Sequence, residues 1–243
     1  MKAVILAAGM ASRLRPLTDN TPKCLLKIGD KCLLGRTLDA LIQNNISRIV
    51  LVTGYLHQLI EQYMQQHYPH LTVEFIHNEL YSSTNNIYSL WLTKESVKKS
   101  DIWLLDSDIV FDPQIIKQLR QSIYPTCLAL NKHELSDEEI KVITNSEGKI
   151  KEISKTCSIK DAVGESIGIE KMSREYVDLL FDELDNMILT RNQTNVFYEA
   201  AFENTIHRGA DFYAVDTTGL FSMELDTVED FESAREKIPA ALL

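Results

Sequence analysis

Residues 3–27 read AVILAAGMASRLRPLTDNTPKCLLK, and the fold is decided in this stretch. The apolar run 3–6 has the composition of a strand buried in a parallel sheet. It gives way to Ala7, Ala8 and Gly9, small residues that let backbone N–H groups approach a ligand closely. Ser12, Arg13 and Arg15 follow, then Pro22 and Lys23, so the ligand suited to this loop is an anion and best of all a polyphosphate. Other phosphate loops are excluded by spacing. There is no G-x-x-x-x-G-K-[ST], and no G-x-G-x-x-G follows a strand.

Working outward, segments 48–53, 72–76 and 102–105 read as further strands, with helical spacing at 33–44 and 57–66 between them. A helix is predicted over 84–94, capped at Thr84 or Asn85. This alternation implies βαβ units and a mainly parallel sheet. From Thr126 the rhythm changes to closely spaced short strands, 126–130, 141–144, 149–153 and 166–170, with a turn at 145–148. The pattern predicts an antiparallel insertion over one end of the sheet. Helices at 173–185 and 195–208, strands at 212–215 and 222–225, and an amphipathic helix from near Thr227 complete the chain. No linker or repeat interrupts it, so residues 1–243 read as one domain.

The 243 residues are 44% hydrophobic and 25% charged, ordinary for a soluble globule. A net charge of −10 argues against a nucleic-acid partner. An anionic substrate is compatible with it, because Arg13, Arg15, Lys23 and Lys27 focus positive potential locally. Cys24, Cys32, Cys127 and Cys157 show neither C-x-x-C nor metal spacing, which fits free thiols in a reducing compartment. The N-terminal apolar run is too short and wrongly flanked for an export signal, and no stretch approaches the ~20 apolar residues of a membrane span. The expectation is a cytoplasmic protein with no membrane insertion.

Two acidic motifs follow predicted strands. Segment 102–105 runs into Asp106-Ser107-Asp108, where the carboxyl ends of parallel strands place ligands. Mg²⁺ favours one or two carboxylates together with phosphate oxygens and water. Asp112, before Pro113, is available to cap the next helix and frees the earlier pair. Near the end of the chain, Met223-Glu224-Leu225-Asp226-Thr227 repeats the order strand, acid, helix start. On its own, Asp226 reads equally as a ligand or as a helix cap.

Residues 6–23 resemble the signature L-A-A-G-x-G-[ST]-R-L-x-P-L-T-x-x-x-P-K of the nucleoside-triphosphate transferases. Asn78-Glu79-Leu80-Tyr81-Ser82-Ser83-Thr84-Asn85-Asn86-Ile87-Tyr88-Ser89-Leu90 is similar to a segment of the small-molecule cytidylyltransferases in that family, as are 164–173 and the Tyr198-Glu199 pair. The resemblance implies a Rossmann-like three-layer α/β/α fold. Its nucleotide part would be about 1–125 and its acceptor part about 126–243. It further implies a nucleotide site of Leu6, Ala7, Ala8, Gly9, Met10, Ala11, Ser12, Arg13, Lys23, Tyr81, Thr84, Asn85 and Asp106. Asp108 and Asp226 would hold Mg²⁺, with Ile109 standing where the family has Asn, and Arg13, Lys23 and Lys155 would be catalytic. CTP would donate CMP to a small phosphorylated acceptor held by Lys155, Tyr198, Glu199 and Tyr213. The resemblance does not fix the oligomeric state.

One departure lies in the loop itself: the family's second glycine is Ala11 here. A Cβ disfavours positive φ, so either Ala11 is held at negative φ or the triphosphate's approach is altered. For the acceptor, Tyr198, Glu199, Tyr213 and Phe221 could build an aromatic and acidic box for an ammonium head group. A polyol phosphate remains equally open. Two other readings compete: a sugar-1-phosphate nucleotidyltransferase, and a catalytically silent nucleotide-binding subunit on the same fold. Residues 84–90 argue against the first, and retention of Arg13, Lys23, Asp108 and Asp226 against the second.

Overall fold

Strand β1 (Lys2–Ala7) has no solvent face: Val4 and Leu6 enter one apolar cluster, while Ala3, Ile5 and Ala7 enter another. An unbroken apolar run, with no polar alternation, is what such a strand requires. In the computed structural model, which describes residues 1–242, the chain leaves β1 through short helical turns at Ser12–Leu14 and Lys23–Leu25. A small hairpin, β2 (Lys27–Ile28) and β3 (Lys31–Cys32), leads into α1 (Leu33–Gln43). Next come β4 (Arg48–Thr53), α2 (His57–His67), β5 (Thr72–His77), α3 (Asn86–Trp91), α4 (Lys94–Val97) and β6 (Ile102–Asp106). The chain continues through β7 (Ile109–Phe111), α5 (Gln114–Gln121), β8 (Cys127–Asn131), β9 (Lys141–Thr144), β10 (Ile150–Ser154) and β11 (Gly164–Met172). It closes with α6 (Arg174–Asp185), α7 (Glu199–His207), β12 (Tyr213–Asp216), β13 (Ser222–Glu224) and α8 (Val228–Lys237).

Nine strands form one mixed sheet. β1 lies between β4 and β6, parallel to both, and β5 extends the parallel part beyond β4. Leu34, Leu38 and Leu41 of α1, with α2 and α5, cover one face. Ile87 and Leu90 of α3, with α6 and α7, cover the other, giving three layers. Beyond β6 the direction reverses: β11 runs antiparallel to β6, β8 and β9. The antiparallel elaboration expected after Thr126 is therefore a continuation of the same sheet, joined through β11.

Two predicted helices differ in extent. The helix expected over 84–94 starts at Asn86, capped by the Asn85 side chain, and breaks after Trp91, where the buried Thr93 hydroxyl donates to the Leu90 carbonyl. That expected over 195–208 starts only at Glu199. Residues before it are held by tertiary bonds, Asn85 N–H to the Thr194 carbonyl and Tyr198 N–H to Asn86 Oδ1, which outweigh local helix propensity.

β11 changes register between Ser166 and Glu170, and Gly168 at the slip has φ 68°. A Cβ there would lie 2.6 Å from Asp106 Oδ2. Both the left-handed backbone and this contact exclude a side chain, so Gly168 lets the antiparallel half pass over the end of β6. Gly168→Ala is expected to destabilise the protein by about 2–4 kcal/mol. Urea unfolding tests this, and an unchanged midpoint would show that the bend accepts a side chain.

Candidate functional site

A cleft of about 670 Å³ opens where β1 and β6 end, and β11 forms its far wall. Residues 6–9, Ala11 and Arg13 line it, while the side chains of Met10 and Ser12 do not. Ser12 instead begins the helical turn whose Leu14 is fully buried and anchors the loop. Gly54 supports the loop from below, since a Cβ there would meet the Ala8 carbonyl at 2.6 Å. Ala11 overturns the simpler expectation for its backbone: it lies in the left-handed region at φ 46°. Its carbonyl accepts from Leu14 N–H and from Thr18 Oγ1, both at 3.0 Å, which ties the strained residue in place.

Three carboxylates, Asp108, Glu224 and Asp226, have oxygens within 4.8 Å of one another. The backbone brings them together. β13 pairs antiparallel with β7, setting Glu224 opposite Ile109, and Leu225 N–H donates to the Asp108 carbonyl at 3.1 Å. Thr227, not Asp226, caps α8, in a reciprocal box with Asp230. That settles the helix-cap alternative and leaves the Asp226 carboxylate free to face the cleft. Lys23 Nζ lies 2.8 Å from Asp108 and 2.5 Å from Asp226, and Arg13 also pairs with Asp226.

The electrostatics follow from this packing. Burial opposes the Lys23 charge, yet Asp108 and Asp226 outweigh it and hold its pKa above the ordinary value. Burial likewise opposes ionisation of Asp226, but Lys23 and Arg13 keep its pKa below the usual carboxylate range. At Glu224, burial and then Asp108 and Asp226 outweigh the opposing influence of Lys23 and push it up to about 8. Asp108 Oδ1 is buried without a partner. An oxygen-only donor set with one uncommitted buried oxygen fits a hard divalent cation.

Tyr81, Thr84, Asn85 and Asp106 also line the cleft. The loop carrying the first three is organised by Asn78, which donates to Thr84 Oγ1 at 3.2 Å and Ser89 Oγ at 3.0 Å and accepts from Leu80 N–H at 2.9 Å. Asp106 is pushed well above its ordinary pKa by burial and by Asp108 and Glu199, against the opposing bond from the Tyr198 hydroxyl at 2.9 Å.

On the acceptor side, Lys155 and Glu199 line the cleft, and Lys155 lies 3.5 Å from Glu138 and over the Phe197 ring. The rest of the aromatic box is corrected. The Tyr198 ring is fully buried beside Phe202 in the core, so only its hydroxyl reaches toward the site, through Asp106. Tyr213 pairs with Cys127 at the opposite end of β8 from the cleft and stacks on Tyr124 at 4.1 Å. Phe221 packs on a small cluster beneath α8. Sequence reasoning also passed over Glu224, Glu165, Ser166 and Gly168, all on the cleft wall. Glu224 had a readable signal: it stands two residues before Asp226 along the expected strand 222–225, the spacing that returns side chains to one face.

Residues 2–129 match the family model described as Nucleotidyl transferase. The chain is 26% identical over 239 residues to the choline-phosphate cytidylyltransferase of Streptococcus pneumoniae, covering 97% of each chain. It is 27% identical over 260 residues to the CTP:phosphoglutamine cytidylyltransferase of Campylobacter jejuni, covering 98% of this chain and 100% of that one. Among solved structures, the inositol-1-phosphate CTP transferase from T. maritima superposes with a TM-score of 0.78 over 98% of both chains at 18% identity, a likeness of fold.

The left-handed Ala11 yields a direct test of the loop. Ala11→Gly removes about 1–2 kcal/mol of backbone strain and adds about 0.5–1 kcal/mol of unfolded-state entropy. A net stabilisation of up to about 1 kcal/mol is expected in chemical denaturation. Destabilisation would mean that the alanine methyl packs more favourably than its backbone costs.

Proposed function

The chain belongs to the nucleotidyl transferase family, and from that premise we propose that it transfers CMP from CTP to a small phosphorylated acceptor, releasing pyrophosphate. The observation that carries this reading is the convergence of the residue 6–13 loop, Lys23 and three carboxylates on one side of a cleft whose other side holds Lys155. The choice of CTP is supported by the two cytidylyltransferases that align over nearly their whole length. In this reading, backbone N–H groups of the loop and Arg13 receive the β and γ phosphates, and Lys23 counters their charge. Tyr81, Thr84 and Asn85 border the nucleoside, with Asp106 beneath.

Asp108 and Asp226, with Glu224 beside them, would hold Mg²⁺. Bound there, the ion would neutralise phosphate oxygens and polarise the α-phosphorus. Lys155 receives the acceptor's phosphate. One of its oxygens attacks the α-phosphorus, forming the new P–O bond, while the bond to the β-bridging oxygen breaks and pyrophosphate leaves with the electron pair. A phosphomonoester with second pKa near ~6 is mostly dianionic at neutral pH and needs no general base. Positioning and charge neutralisation supply the catalysis. Residues of about 1–125 would then serve the nucleotide and those of about 126–243 the acceptor, within one domain. Among the described residues no helix is long and apolar enough to cross a membrane.

Asp108→Ala and Asp226→Ala should each lower kcat by roughly 100-fold or more, since a metal ligand is worth several kcal/mol of transition-state charge stabilisation. Pyrophosphate release at saturating Mg²⁺, with circular dichroism to confirm folding, measures this. Near-wild-type turnover in either variant would sink the metal assignment.

Nucleotide choice is a separate expectation. Comparing kcat/KM for CTP, UTP, ATP, GTP and dTTP should favour CTP, whereas a clear preference for UTP or dTTP would point to a sugar-1-phosphate acceptor.

A further inference from the structure

The acceptor wall of the cleft is acidic. Glu138, Glu139, Glu165 and Glu199 line it, and among the described residues Lys155 is the cation facing them from the cleft wall. Glu138 and Glu139 sit at the rim, where Glu139 is bonded to Ser136, and His133 binds Glu165 at 2.7 Å. Glu199 differs from these. It is 6% exposed, opens α7, and its Oε2 is buried without a hydrogen-bond partner. A buried carboxylate without a partner is costly, and the group that relieves it must be a hydrogen-bond donor, best a cation.

The rings that would favour a different cation have been accounted for. Tyr198 is in the core, Tyr213 is stacked at the far end of β8, and Phe221 lies under α8. Phe197 is the aromatic ring on this wall among the described residues, and Lys155 sits over it at 5.2 Å from the centroid. A trimethylammonium group has no N–H and is recognised by a box of several ring faces, whereas among the described residues this wall offers the single exposed ring of Phe197, over which Lys155 already sits. A primary ammonium has three N–H donors and is recognised by oxygen acceptors.

We propose that the acceptor carries, beyond its phosphate, a primary ammonium group that Glu199 binds, with Glu165 as the second carboxylate of the subsite. This rests on the cytidylyl-transfer reading and specifies its acceptor. The Glu199 protonation state agrees with it: burial pushes the carboxyl up to about 7, its backbone bond and Lys155 notwithstanding, and an adjacent ammonium restores the ionised form. A neutral polyol would leave Glu199 Oε2 without a cationic partner.

The test uses the full chain with Mg²⁺ and CTP, and reads pyrophosphate release for acceptors that share one phosphate. These are 2-aminoethyl and 3-aminopropyl phosphate, the N,N,N-trimethyl form of each, and propyl phosphate. The better primary amine should exceed its trimethyl form and propyl phosphate by roughly 10- to 100-fold in kcat/KM. Glu199→Gln should reduce its advantage over propyl phosphate to within about threefold while leaving the KM for CTP unchanged. A merely structural defect would lower all acceptors in parallel. Glu165→Gln should narrow the same ratio and serves if the Glu199 variant does not fold. Equal or better use of a trimethylated acceptor or of propyl phosphate overturns the proposal. So does wild-type turnover of none of the five, in which case calorimetric binding of CTP with Mg²⁺ decides separately whether the nucleotide reading survives.

Discussion

Three carboxylates gathered at the ends of strands cannot coexist without positive charge among them, and that requirement organises the site. Asp108, Glu224 and Asp226 converge because β13 pairs with β7, and Lys23 and Arg13 are drawn onto them from a loop some 200 residues earlier than Asp226 in the chain. Burial and then its acidic neighbours raise the pKa of Glu224, with Lys23 offsetting them only in part, whereas Lys23 and Arg13 together outweigh burial at Asp226. The Arg13 and Lys23 side chains thus connect the first loop to the last strand. The same cations are proposed to serve the triphosphate, so the charge balance of the fold and of the substrate draw on the same residues.

A second layer of acids lies deeper. Asp106, held by the Tyr198 hydroxyl, faces the influence of Glu170 and Glu199, and Glu170 is fully buried with neither carboxyl oxygen paired. Burial first, then Asp106 and Glu199, pushes Glu170 well above its ordinary value. Tyr198 joins this layer to the nucleotide side through its backbone bond to Asn86. The residue expected to present a ring to the acceptor instead couples the two halves of the cleft. The register slip at Gly168 makes room for that arrangement, since a side chain there would displace Asp106.

Much of this was legible along the chain because the relevant constraints are local. The apolar run of β1, the small residues after it, and the strand running into Asp106 and Asp108 each state their structure within a few positions. Asn85 is an N-cap because its side chain can satisfy the N–H of the next residue, and Thr227 caps α8 with Asp230 three residues on. Ala11 was legible as an exception, though not in its resolution. Two hydrogen bonds to its carbonyl, from Leu14 N–H and from the Thr18 hydroxyl, hold it at positive φ, and neither can be read from residue spacing alone.

The strand–loop–helix order and the parallel half of the sheet were readable from the chain, because strand period and loop composition are short-range properties, whereas the pairing of Asp108 with Asp226 came from the family resemblance and Glu224 joined them only through the pairing of β13 with β7. The acceptor wall is set by long-range packing. Whether an aromatic residue faces a ligand or the core depends on strand register and on which neighbours bury it, and those are set by partners far away in sequence. Tyr198 and Glu199 are adjacent in the chain, yet the ring of one is sealed in the core while the other stands at the cleft. Nothing local separates them: what does is the packing of α7 on the sheet and the bond from Tyr198 to Asp106.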